Sequence, residues 1–149
     1  MEIFGTIEAI LDRKGSQVWT IAPDATVFDA VKLMAEKNVG ALLVMEGDEP
    51  AGVISERDYC RKITLQGKDS RSTPVRAILS APVISVTPQH TVENCMALMT
   101  KHRVRHLPVL DGRKLVGLVS IGDLVNWIIN VQQMTITQLR NYIAGERSA

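Results

Sequence analysis

Residues 52–58 read GVISERD and residues 117–123 read GLVSIGD. Each stretch is a glycine, two aliphatics, a serine, two variable residues and an aspartate. Two apolar segments that close on the same hydroxyl and carboxylate at the same spacing point to duplication. Working outward, an ungapped shift of 65 lays residues 20–63 on residues 85–128, with 13 of 44 positions identical. Ordinary composition would give about three such identities. They include Pro23/Pro88, Thr26/Thr91, Gly47/Gly112, Gly52/Gly117, Ser55/Ser120 and Asp58/Asp123. The chain therefore holds two copies of one supersecondary unit, and units this small bury a core by packing on each other.

Both copies have the same grammar. A short extended piece (VWTI, VISV) leads to a proline and then to a threonine suited to capping a helix, with Thr26 and Asp29 spaced as a capping box. The helix that follows carries Val27, Ala30, Val31, Met34 and Ala35 on one face in the first copy. In the second it carries Val92, Cys95, Met96 and Met99. Two apolar runs about an EGD or DGR turn read as a hairpin. A second helix then begins at Ser55 or Ser120. The order is strand, helix, strand, strand, helix, twice: an α/β (α+β) fold class. The expected division is 1–15 for an N-terminal helix, 16–66 and 81–131 for the repeats, 67–80 for a connector and 132–149 for a C-terminal helix. The end segments lie outside the repeat on this reading. Ile3, Phe4, Ile7, Ile10 and Leu11 form one apolar stripe, and Ile136, Leu139 and Ile143 another, fitted for core or subunit contacts.

Composition narrows the function. Of 149 residues 46% are hydrophobic, so a packed core is affordable and disorder is excluded. A net charge of +1 and 4% aromatics argue against nucleic acid, which needs clustered cations and stacking platforms. The start lacks the basic-then-apolar order of a signal peptide, and the most apolar late window is broken by Asp123 and Asn126. Cys60 and Cys95 stand in no ligand-like spacing and read as buried thiols. The expectation is a cytoplasmic protein with no membrane span.

Ser-x-x-Asp before an apolar helix is first of all a capping signal, and a cap contributes roughly 0.5–2 kcal/mol. Yet capping asks only for one of several small polar residues, and the first helix shows the latitude, since Asp29 is replaced there by Asn94. Retention of the same serine, aspartate and glycine in two otherwise divergent copies leaves a second reading open. A carboxylate can accept both hydroxyls of a ribose in charge-assisted bonds, with the serine beside it. Phosphate must then find cations elsewhere. Arg57, Arg61 and Lys62 supply them in one copy, and KHRVRH at residues 101–106 in the other. His102 and His106 are spaced as H-x-x-x-H, but an extended run begins at Val104 and no third ligand stands near, so no metal site is expected.

These residues resemble a family. Residues 20–129 look like a tandem pair of CBS domains (a Bateman module), with end helices similar to those of small stand-alone bacterial members. The second copy carries the V-x-x-L-P-V-x-D and G-h-h-S/T-x-x-D patterns in full, the first of them as VRHLPVLD at residues 104–111. The first copy departs at Leu43, where proline is frequent, and at Glu46–Gly47. The resemblance implies a pseudo-two-fold pair with two clefts that take adenosine compounds: AMP, ADP, ATP, NAD(H) or S-adenosylmethionine. Carried over by position, Asp58 and Asp123 would hold two riboses, with Ser55 and Ser120 beside them. Gly40, Ala41, Arg105 and His106 would line the base or reach phosphates, and Arg57 would contact phosphate where Gly122 cannot. Thr20, Ser85, Val18 and Val83 would contact the base. The cleft served by Asp58 should then prefer a phosphate-bearing nucleotide, and the cleft served by Asp123 a bulkier or less charged adenosine. The resemblance also implies a homodimer through helices of the repeats, with Met34, Met96, Met99 and Trp127 as candidate contacts.

Three functions fit in different degrees. The reading carried forward is a non-catalytic sensor that binds an adenosine ligand and acts on an unknown effector. The alternative is a structural dimerisation or interaction module with empty clefts. A nucleotide-processing enzyme would need an activated nucleophile or a positioned acid and base, and the sequence offers no P-loop, no G-x-S-x-G and no zinc signature.

Overall fold

The computed structural model describes residues 3–81 and 83–148. Met1, Glu2, Pro82 and Ala149 lie outside the described residues, and with them the outer ends of the two terminal segments. The elements are α1 (Ile7–Lys14), β1 (Thr20–Ile21), α2 (Val27–Lys37), β2 (Ala41–Glu46), β3 (Glu49–Ser55), α3 (Glu56–Tyr59), α4 (Val92–His102), β4 (His106–Asp111), β5 (Lys114–Ser120) and α5 (Ile121–Ser148). A π-helical turn (Cys60–Thr64) follows α3, and a 3-10 turn (Val75–Ala77) lies in the connector.

The duplication is present down to irregularities of the backbone. In both hairpins the register slips at the same place, between Val44 and Met45 and between Val109 and Leu110. Gly47 and Gly112 turn the hairpins at φ 63° and 64°, a conformation that glycine adopts without steric penalty. Helices α2 and α4 end on left-handed residues, Asn38 and Arg103, at φ 54° and 55°. Thr26 accepts from the Asp29 N–H, while Thr91 and Asn94 complete a reciprocal box. The leading strand is where the copies differ. β1 pairs in parallel with β2, but its counterpart is reduced to a single bridge between Val86 and Val109.

Each copy has its own core. Val27, Ala30 and Met34 pack on Leu42, Val44, Ile54 and Ile63 in the first, and Val92, Cys95 and Met99 pack on Leu107, Val109, Val119 and Leu124 in the second. Ala35, placed on the buried face by spacing, is exposed. Met34 and Met99 are core residues and Met96 and Trp127 pack against the core, so these four do not form a free surface. Cys60, expected inside, is exposed, because the π-helical turn rotates it outward while Ile63 stays buried.

The N-terminal segment belongs to the repeat, contrary to the sequence reading. Residues 6–11 (TIEAIL) match residues 74–79 (PVRAIL) at a shift of 68. Ile7, Ile10 and Leu11 enter the core of the second copy, and Val75 and Ile78 enter the core of the first. Backbone bonds repeat the correspondence: Ile7 N–H to His90 O and Val92 N–H to Gly5 O in one place, Val75 N–H to Ala25 O and Val27 N–H to Thr73 O in the other. Helix α1 starts only at Ile7, which leaves Ile3 exposed and off the stripe.

This arrangement explains the retained glycine pair. A Cβ on Gly52 would lie 2.5 Å from Leu79 Cδ1 and 2.7 Å from the Ser80 carbonyl oxygen, and one on Gly117 would lie 2.6 Å from Leu11 Cδ2. The incoming leucine of each exchanged segment fills the space where a side chain would stand. Finally, residues 132–148 are no separate helix. The chain has neither glycine nor proline between Leu124 and Ala144, so α5 continues unbroken for 28 residues.

Candidate functional site

Both signature aspartates lie on strand-to-helix turns that open into clefts between the copies. The larger cleft, about 550 Å³, is lined by Ser55, Arg57 and Asp58 with Gly40 from the first copy, and by Val83, Arg105 and His106 from the second. The smaller, about 290 Å³, is lined by Ser120 and Asp123 with Val18, Gly40, Ala41 and His106. Eleven of the thirteen residues singled out in the sequence therefore line a cleft. Thr20 and Ser85 line neither: both are exposed, and their neighbours Trp19 and Ile84 face the clefts instead.

The two carboxylates are alike in sequence and unlike in state. Asp58 is buried with every acceptor position engaged. Its Oδ2 accepts from the Ser55 N–H and Ser55 Oγ, each at 3.0 Å. Its Oδ1 meets Lys62 Nζ at 3.1 Å and accepts from Ser80 Oγ at 3.3 Å. Two lone pairs per oxygen leave no acceptor over. Asp123 keeps one oxygen in hand. Its Oδ2 accepts from the Ser120 N–H at 2.8 Å and from Lys14 Nζ at 2.7 Å. Its Oδ1 accepts nothing among the described residues. Burial works against ionisation of Asp123, but the Lys14 and Ser120 hydrogen bonds outweigh it and hold the carboxyl below the ordinary value of 3.8.

Charge separates the clefts further. Arg57, Arg61, Lys62, Arg103 and Arg105 line the larger one against Glu56 and Asp58, whereas the smaller has Lys14 against Asp123. The first cleft therefore carries an excess of positive charge that the second lacks. The expectation of a bulkier ligand in the second meets a contrary finding, since that cleft is about half the size. Apolar walls differ as well: Val53, Val83, Ile84 and Val104 in the larger, Val18, Trp19, Val39 and Leu118 in the smaller. His106 lines both. Burial holds its imidazole below 6.5, with Asp123 pulling the other way and Lys14 and Arg105 adding to the depression.

Sequence reasoning missed Lys14 and Ser80, the two side chains that come from the exchanged segments. The signal was the TIEAIL/PVRAIL match, hidden by three extra residues between Leu11 and Thr20. Among the described residues no group of three His, Cys, Asp or Glu is arranged to hold a metal, and no helix is long and apolar enough to cross a membrane.

The profile of the CBS domain family matches residues 10–64 and 75–130. The CBS domain-containing protein CBSX3, mitochondrial, of Arabidopsis thaliana is 44% identical over 136 residues, covering 88% of this chain; the chain spans 66% of the plant protein's length. A solved protein with CBS domains from Burkholderia ambifaria is 52% identical, with a TM-score of 0.81 over 84% of this chain and 94% of that one. The CBS domain pair of protein MJ0100, solved in complex with 5′-methylthioadenosine and S-adenosyl-L-methionine, shares the fold at 21% identity. Its TM-score is 0.74 over 84% of this chain and 96% of that one.

Proposed function

The chain belongs to the CBS domain family, and from that premise we propose that it is a non-catalytic regulatory module that binds adenosine compounds in the two clefts between its repeats. The observation that carries this reading is the pair of aspartates lining the two clefts, with a cationic surround at one and a near-neutral surround at the other. Carboxylate, hydroxyl and apolar walls together offer what a ribose and a flat base require.

In the larger cleft we assign AMP, ADP, ATP or NAD(H), whose phosphates face Arg57, Arg103 and Arg105. Ribose hydroxyls reach Asp58 only by replacing an internal donor. The Ser80 hydroxyl, at 3.3 Å, is the longest of the four and the one to yield. Ser80 lies on the exchanged connector segment and is bonded through its backbone to Val53, so binding would load the connector directly. That is a differential contact of the kind a ligand-driven change needs. In the smaller cleft we assign a nucleoside-like ligand of low charge, its hydroxyls on Asp123 Oδ1. The effector is unknown, and self-association through helices completes the reading.

A thermal-shift panel of AMP, ADP, ATP, NAD, NADH, S-adenosylmethionine and adenosine tests it. A ligand at a hundred times its Kd adds about 2.7 kcal/mol, which raises Tm by about 5–10 °C for a chain of this size. A second reading, the structural module with empty clefts, is favoured by one observation: Asp58 is already fully engaged. No shift with any of the seven compounds would select it.

A further inference from the structure

Helix α5 is about 42 Å long at 1.5 Å per residue, and only its first part completes the second copy. Leu124 is buried, and Trp127, Ile128 and Val131 are half-buried, but every residue from 132 to 145 is exposed. Ile121, Val125, Ile129, Ile136, Leu139 and Ile143 are all 41–57% exposed. At 3.6 residues per turn these six fall within an arc of about 80°, adjacent to the face that packs on the body. From Val125 onward the spacing alternates four and three once Gln132 is counted, which is the seam of a coiled coil. The stripe is continuous across the docked and the projecting parts of the helix. A helix of this composition with no apolar cover is marginal in water, so a partner is required.

We infer that the partner is α5 of a second copy, seated along this stripe with Gln132 against Gln132. Between Asp123 and Glu146 the only formally charged residue is Arg140. Two copies therefore meet without like-charge repulsion, and no charge pattern is present to recruit an acidic or basic helix from elsewhere. Covering the six side chains hides on the order of 500 Å² on each copy, and flanking Gln and Thr residues bring this toward the roughly 800 Å² per partner of a stable interface. Gln132 stands eleven residues from both Ile121 and Ile143, and paired amides can satisfy one another there. A single polar residue in an apolar seam fixes register and lowers stability.

The inference deepens the self-association reading and can fail separately from it. The full chain is examined by sedimentation equilibrium at micromolar concentration, as wild type, Ile136→Glu/Leu139→Glu and Gln132→Leu. The expected result is a wild-type dimer, at least a 100-fold weaker one with the two glutamates buried in the seam, and a tighter one with Gln132→Leu. Residues 136 and 139 are exposed, so Tm measured under monomeric conditions should be unchanged. A dimer that is unaffected by the glutamates removes the seam but leaves pairing through the repeat helices standing. A monomeric wild type removes both, and weaker pairing with Gln132→Leu removes the seam.

Discussion

Exchange of segments between the copies can be weighed at Gly52 and Gly117, which are equivalent in sequence but not in surroundings. At Gly117 a new methyl meets only Leu11 Cδ2 and Cδ1, at 2.6 and 2.9 Å, the far end of a side chain that can rotate. At Gly52 it meets Leu79 Cδ1 at 2.5 Å and also the Ser80 carbonyl oxygen at 2.7 Å. That oxygen accepts from the Val53 N–H and cannot withdraw without breaking the Val53–Ser80 bridge. Overpacking costs about 1–3 kcal/mol, a lost backbone bond about 1 more, and replacing glycine returns about 0.4–1 through the unfolded chain. Gly117→Ala should therefore cost about 1 kcal/mol and Gly52→Ala about 3. These correspond to Tm losses of about 2–4 °C and about 6–12 °C, read by calorimetry or circular dichroism. Leu11→Ala should relieve Gly117→Ala in a double-mutant cycle, while Leu79→Ala should relieve Gly52→Ala only in part. Equal costs, a reversed order or no coupling at Leu11 would refute the reasoning.

Arg103 holds a left-handed backbone while lining the cationic cleft, so Arg103→Asn should stabilise the chain by up to about 1 kcal/mol and weaken binding of phosphate-bearing ligands, both read in one thermal-shift titration. Asp123 and His106 both have depressed values in the folded state. A depressed group contributes stability above its unfolded value that is lost as pH falls through the folded one. Urea midpoints should therefore decline on acidification from about 6.5 and again below about 4, with His106→Gln removing the first decline and Lys14→Met weakening the second; a midpoint independent of pH between 7 and 3 would contradict this. Burial pushes the Cys95 thiol up to about 11, so a thiol reagent at neutral pH should label the exposed Cys60 alone in the native chain and both in denaturant.

Much of this architecture was legible because it is carried by local chemistry. The thirteen identities mark turns, caps and core faces, which obey nearest-neighbour rules, and the hairpins and the Ser-x-x-Asp caps fell where those rules put them. What was not legible depends on register across a gap or on long-range contact. The exchanged TIEAIL segment escaped an ungapped comparison, and with it went Lys14 on Asp123 and the purpose of Gly52 and Gly117. Ser55, Arg57 and Asp58 could be named from spacing, but the saturation of Asp58 by Lys62 and Ser80 requires a π-helical turn and a connector whose courses spacing does not specify. The continuity of α5 is a milder case, since absence of a breaker is visible and only its consequence, an apolar stripe without cover, needed the fold.

The two clefts should differ in the ligand they hold, and isothermal titration of AMP and adenosine into wild type, Asp58→Ala and Asp123→Ala measures that difference most directly. Binding of AMP should be lost with Asp58→Ala, persist with Asp123→Ala and weaken with added salt as its phosphate is screened from the arginines. Adenosine binding should show the opposite dependence on the two aspartates and little response to salt. Equal loss of both ligands in both variants, or no heat from either ligand in wild type, would contradict the account.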